Sequence, residues 1–148
     1  PKGNPHKVKP DLNELLRKDL TLILGNVESG SVGQETKRIL DVAKIYPKAV
    51  THAAVMMPDS RAINLALKRG EGNIALNWRA TAFFPDNAPH IDAIDLDPKI
   101  AKPQALLLIQ LIFSKQPALA QKFMNYVASP EGQAVFRKYG FLDNQSKH

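Results

Sequence analysis

The chain has 148 residues, 44% of them hydrophobic, enough for one packed core of ordinary domain size and too few to expect a second. No apolar run reaches the ~18 residues that span a bilayer, because the longest, 105–113, is interrupted by Gln110. The absence of cysteine excludes disulfides, thiolate metal sites and a cysteine nucleophile, and the formal charge of +6 is dispersed along the chain, which attracts anions generally or simply solvates a basic surface.

The sequence opens at Pro1 with no basic-then-apolar leader, which reads as a chain that was processed or taken from a longer one. Residues 1–10 hold three prolines and a glycine and suit an extended hinge or linker. Asp11 with Glu14 predicts a capping box ahead of a short helix ending near Lys18. Leu20 to Leu24 is apolar on both faces and predicts a central strand. A turn at 25–31 leads into helical spacing from Val32 to Ile45. The pattern repeats: His52 to Met57 reads as a strand, Pro58-Asp59-Ser60 as a turn and cap, and Ile63, Ala66 and Leu67 as a helix stopped by Gly70. It begins a third time at the strand-like stretch Asn73–Trp78, which is followed by a non-strand segment from Arg79. Such alternation predicts an α/β fold with a mostly parallel sheet flanked by helices.

Beyond a loop at 85–89, Ile91, Ile94 and Leu96 predict a rim strand. The run 105–113 fits strand or helix, and Pro103 ahead of it favours a strand over Leu106–Leu111. Two helices close the chain, Pro117–Val127 and Pro130–Tyr139, each with proline in its first turn, the second capped by Ser129 and ended by Gly140. The expected division is 1–10 hinge, 11–113 α/β body and 114–148 helical tail.

In an open parallel sheet, ligands bind beyond the carboxyl ends of the strands. Three loops are expected there. The first carries Ser31 and Val32 at a helix start, where free backbone N–H groups face an anion with the dipole behind them. Ser31 with Gln34 also fits a capping box, which would need no ligand. The second carries Ser60, as cap or donor, and Arg61, whose planar guanidinium suits an oxyanion but is as readily solvated. The third carries Trp78, the only tryptophan, with its indole donor, and Arg79, which at the inner end of an apolar strand needs a partner.

These are donors, not catalysts, and the chain reads as a binding protein with no enzyme activity and no cofactor. His6, His52, His90 and His148 lack metal-ligand spacing, and no Gly-x-Ser-x-Gly elbow or phosphate-binding loop is present. Asp92, Asp95 and Asp97 alternate as a solvated edge would. Nucleic-acid binding would rest on charge alone, without interleaved aromatic residues, so no nucleic-acid partner is expected.

The layout resembles the second lobe and C-terminal tail of the molybdate- and related oxyanion-binding proteins of ABC importers, which have a two-lobed periplasmic-binding-protein type 2 fold. The resemblance rests on Pro1-Lys2-Gly3-Asn4-Pro5, on Gly25–Gly33 leading into Thr36–Leu40, on Gly70–Ala75, and most clearly on Ser129-Pro130-Glu131-Gly132-Gln133 and Lys138-Tyr139-Gly140-Phe141. It implies a small oxyanion ligand such as molybdate, tungstate or sulfate, and a membrane permease as partner. It also implies a periplasmic location, or an extracellular, membrane-anchored one in a Gram-positive organism. The family's backbone donors fall at Val32 and Ser60, and its tyrosine falls at Trp78, a departure that opens the site to a different or bulkier anion or an organic acid. The family's first lobe has no counterpart in these residues, and a lobe standing alone would bind weakly and could self-associate. The competing expectation is an anion-sensing effector domain of a transcriptional regulator, which shares the two-lobed architecture.

Overall fold

A computed structural model describes residues 1–141; residues 142–148, with His148 and the end of the expected tail, lie outside the described residues. By its internal contacts the chain divides into two compact units, one running from Pro1 to Lys102 and the other beginning at Pro103.

The first unit is built on a three-stranded parallel sheet of β1 (Leu22–Gly25), β2 (Val55–Met57) and β3 (Ile74–Ala75), in the order β2-β1-β3. In register, Ile23 lies opposite Val55 on one side and Ala75 on the other. The middle strand is fully buried, as its unbroken apolar sequence requires. Leu22 and Leu24 face one layer with Ile39, Leu40 and Ala49, from α1 (Ser31–Val42) and α2 (Tyr46–His52). Ile23 faces the opposite layer with Ile63 and Ala66 of α3 (Ser60–Lys68). Helices therefore cover both faces of the sheet, the α/β architecture expected from the alternating pattern.

Several boundaries differ from the sequence reading. The segment after Asp11 is a 3-10 turn, Leu12–Leu16, and Glu14 pairs with Arg17 instead of reaching back to close a capping box. The first long helix stops at Val42, not Ile45. Lys44 takes a left-handed conformation with φ of 57°, and the Ile45 N–H returns to the Leu40 carbonyl. That turn mimics a glycine stop without a glycine. Tyr46–His52 then forms a further helix, with Pro47 in its first turn, so the strand expected from His52 begins only at Val55. Gly70 does end α3, with φ of 73°. No rim strand forms at Ile91–Leu96: residues 91–97 have no regular structure. Their carboxylates instead tie down other segments. Asp92 pairs with Lys2 and accepts from the Gly3 N–H, fixing the start of the chain, which the Lys2 N–H also ties to the His90 carbonyl.

In the second unit, residues 105–111 are not a strand but run without regular structure. Two helices follow, α4 (Pro117–Ala128) and α5 (Pro130–Lys138), as the sequence predicts. Ser129 caps α5 by accepting from the Gly132 N–H, and Gln133 donates to the Val127 carbonyl. Gly132 has no room for a side chain, since a Cβ there would lie 2.2 Å from the Tyr126 carbonyl oxygen. The Ser-Pro-Glu-Gly-Gln stretch is thus a tight helix corner. Phe136 and Phe141 close the unit edge to face, 5.2 Å apart.

Candidate functional site

All three strands run in the same direction, so the loops after β1, β2 and β3 emerge at one end of the sheet. From the central β1 the chain passes first to β2 on one side and then to β3 on the other. This places a topological switch point between β1 and β3, where open sheets of this kind form their crevice. Hydrogen bonds join the loops. The Asn26 N–H donates to the Met57 carbonyl at 2.7 Å, and Ser29 Oγ to the Pro58 carbonyl at 2.9 Å. Asn77 Nδ2 donates to the Ser60 carbonyl at 3.2 Å and to Asn64 Oδ1 at 2.9 Å, tying the third loop to the start of α3. Ser31, Val32, Ser60 and Trp78 therefore belong to one rim.

Each expected residue has a definite place on it. Ser31 and Val32 are the first two residues of α1, Ser31 exposed and the Val32 side chain buried. Ser31 is not a cap: Gly30 holds that position without a side-chain bond, and the first intrahelical bond is from Gln34 to Gly30. The N–H groups of Ser31, Val32 and Gly33 consequently have no intrahelical partner and form the positive pole of a 12-residue helix. The approach of α1 to the sheet is close. A Cβ on Gly33 would lie 2.1 Å from the Asn26 carbonyl oxygen, and one on Gly25 would lie 2.9 Å from the Gly33 nitrogen.

Ser60 is likewise not the cap of α3. Asp59 is, accepting from the N–H groups of Arg61 and Ala62 at 2.8 and 2.9 Å. The second loop thus differs from its sequence reading: two of its donors, the N–H groups of Arg61 and Ala62, are occupied by the protein's own carboxylate. The Ala62 N–H, followed by the Arg61 N–H and the Arg61 charge, holds the Asp59 carboxyl below its ordinary range. The Arg61 side chain is 93% exposed and only 3.7 Å from Asp59 at its nearest.

Trp78 is half-buried and packs against the Ile23, Val32 and Ile63 cluster, an apolar wall between the first and third loops. Its backbone N–H is held by Asn77 Oδ1 at 2.8 Å. Arg79 lies in a 3-10 turn, Arg79–Phe83, not at a strand end. It has the partner its position called for: Nε donates to Asp95 Oδ1 at 2.8 Å, and the guanidinium lies 4.6 Å from the centre of the Phe83 ring. The sequence reading placed Asp95 on a solvated edge and gave Ser29 and Asn77 no part in tethering the loops. Only Asp59 carried a usable signal, an aspartate one residue before a helix and after a proline.

A family of bacterial extracellular solute-binding proteins matches residues 1–142. A sulfate-binding protein of Synechocystis sp. is 26% identical over 99 residues, 64% of this chain and 28% of the relative. Among solved structures, the crystal structure of L-phospholactate-bound PEB3 superposes with a TM-score of 0.67 at 17% identity, covering 97% of this chain and 62% of the other. The chain therefore spans about a quarter of the sulfate-binding relative and under two thirds of the solved neighbour.

Proposed function

The chain belongs to the family of bacterial extracellular solute-binding proteins, and from that membership we propose that it contributes one wall of a cleft capturing a small tetrahedral oxyanion for an ABC importer. The observation that carries this reading is the switch point of the β2-β1-β3 sheet. There the unpartnered N–H groups of Ser31, Val32 and Gly33 and the Ser31 hydroxyl lie at the start of a long helix. An anion lodged there is met by neutral donors and a helix dipole instead of a fully charged side chain, and it can be released without breaking a buried ion pair. Ser60 adds a donor from the next loop, and Trp78 an apolar wall with an indole N–H. Arg61 and Arg79 add positive charge at the rim.

The ligand class agrees with both relatives whose names state one, a sulfate-binding protein and a phospholactate complex. Within that class, sulfate, molybdate and tungstate present four oxygens to such donors, and Trp78 leaves the larger anions and small acidic organic molecules as further members. The remaining donors come from a further lobe of the same protein, and the loaded protein meets a membrane permease outside the cytoplasm. No helix among the described residues is long and apolar enough to cross a membrane.

The test is thermal melting and calorimetry with sulfate, molybdate, tungstate, phosphate and phospholactate, against sodium chloride at equal ionic strength. A specific anion raises the melting temperature with a saturable dose response; about 100 times its Kd stabilises the fold by roughly 2.7 kcal/mol. If every anion behaves as chloride does, the reading fails.

A further inference from the structure

The rim that gathers hydrogen-bond donors also carries one fixed acceptor. Pro58 lies between the starts of α1 and α3. Its carbonyl accepts from Ser29 Oγ at 2.9 Å and would lie 2.9 Å from a Cβ on Gly30, the N-cap of α1. The next residue, Asp59, is the N-cap of α3. A carboxylate therefore belongs to the loop packed against the residues that precede the unpartnered N–H groups of Ser31, Val32 and Gly33.

The two oxygens of Asp59 differ. Oδ1 accepts from the Arg61 and Ala62 N–H groups, which fixes the orientation of the side chain. Oδ2 has no hydrogen bond among the described residues: the Arg61 guanidinium, itself 93% exposed, comes no nearer than 3.7 Å. With its pKa held below the ordinary carboxylate range, Asp59 is ionised at neutral pH. An ionised carboxylate oxygen can only accept. Beside a bound oxyanion it is favourable where the guest turns a hydroxyl toward it, and repulsive where the guest turns a bare, negatively charged oxygen. Sulfate, molybdate and tungstate carry no proton at neutral pH, whereas inorganic phosphate keeps at least one. Guests alike in shape are thus separated by their protonation.

We propose that Asp59 is a specificity-determining residue of the anion site, accepting a hydrogen bond from inorganic phosphate through Oδ2 and disfavouring tetrahedral oxyanions that carry no proton. This rests on the reading of the Ser31–Gly33 donors as the anion site. It gives the chain a preference different from the one stated in the name of its sulfate-binding relative. Two other carboxylates of these loops do not fit the role. Asp95 is engaged by Arg79, and no hydrogen bond among the described residues fixes the exposed Glu28 carboxylate.

Titration calorimetry of the full-length product of the gene, at pH 7 and constant ionic strength, tests it by comparing phosphate with sulfate. The wild-type protein prefers phosphate by about tenfold or more. Asp59→Asn and Asp59→Ser each keep a capping oxygen and remove the charge. In both, sulfate binds several-fold tighter, phosphate does not, and the preference is lost; Glu28→Gln leaves it as in the wild type. A wild-type preference for sulfate overturns the proposal whether or not either variant folds. So does a preference that survives both Asp59 substitutions, or one that Glu28→Gln abolishes. In each of these cases anions still bind, and the reading of the site stands. Binding of neither anion overturns that reading, and this proposal with it.

Discussion

The Ser29 hydroxyl donates to the Pro58 carbonyl across 2.9 Å, joining the loop after β1 to the loop after β2 at the end of the sheet where α1 and α3 begin. Both groups are exposed, so Ser29→Ala should cost no more than about 1 kcal/mol in urea unfolding. Its larger effect is expected on anion affinity, since the bond sets the relative position of the Ser31 and Ser60 donors. A variant with wild-type affinity and wild-type stability would show that the two loops are positioned without it.

Gly33→Ala tests how tightly α1 is seated. The added methyl group would lie 2.1 Å from a backbone oxygen of Asn26, which has no free side-chain end to yield. Overpacking against main chain should destabilise the first unit by about 3 kcal/mol and shift the loop after β1. Gly70→Ala is the control: its Cβ meets nothing, and only the φ of 73° opposes it, so the loss is about 1 kcal/mol.

The Asp59 carboxylate caps α3 and is held below its ordinary pKa, chiefly by the Ala62 N–H. A carboxyl with a depressed folded pKa contributes stability that is fully present above its unfolded value, near ~4, and is lost as the pH falls through the folded value. Asp59→Asn should therefore flatten the acid limb of the stability curve below about pH 4, while at neutral pH the amide oxygen retains part of the cap. Removing the negative charge from the rim should also raise sulfate affinity several-fold, measured by calorimetry at fixed salt.

Arg79 and Asp95 separate the ligand contact from the structural pair. The pair is at the surface, and breaking it should cost less than about 1 kcal/mol. Arg79→Ala should weaken binding about tenfold, and Asp95→Asn should strengthen it by removing a carboxylate that competes with the anion for the guanidinium. Unchanged affinity in both variants would leave Arg79 as a loop tether only.

Much of the architecture was legible because its causes are local. The unbroken apolar run at Leu22–Leu24 demands burial on both faces, and the amphipathic spacing of Ile63, Ala66 and Leu67 before Gly70 marks α3. The break between α1 and α2 was hidden because a lysine, not a glycine, takes the left-handed turn. The strands expected at 91–97 and 106–111 share one cause: an alternating or apolar pattern supplies side chains for a ladder but not the neighbouring strand. In the first case Asp92 and Asp95 are drawn to Lys2 and Arg79; in the second no partner strand is present among the described residues.

The three loops leave one end of a parallel sheet, and at two of them the sequence left serine open as helix cap or as donor: Gly30 and Asp59, one residue earlier, occupy the cap positions. The difference matters chemically. It frees Ser31 as a donor, and it puts a carboxylate beside Ser60. The tethers Ser29 to Pro58 and Asn77 to Ser60 join residues 29 and 17 positions apart, and no short-range pattern encodes them.

The most direct test is an amide and indole NMR titration of the 148-residue chain with sulfate and with molybdate at constant ionic strength. The account predicts saturable shifts concentrated on the N–H groups of Ser31, Val32, Gly33 and Ser60 and on the Trp78 indole. Saturable shifts centred elsewhere, as around Thr51 and His52 on α2, or none with any tetrahedral oxyanion, would contradict it.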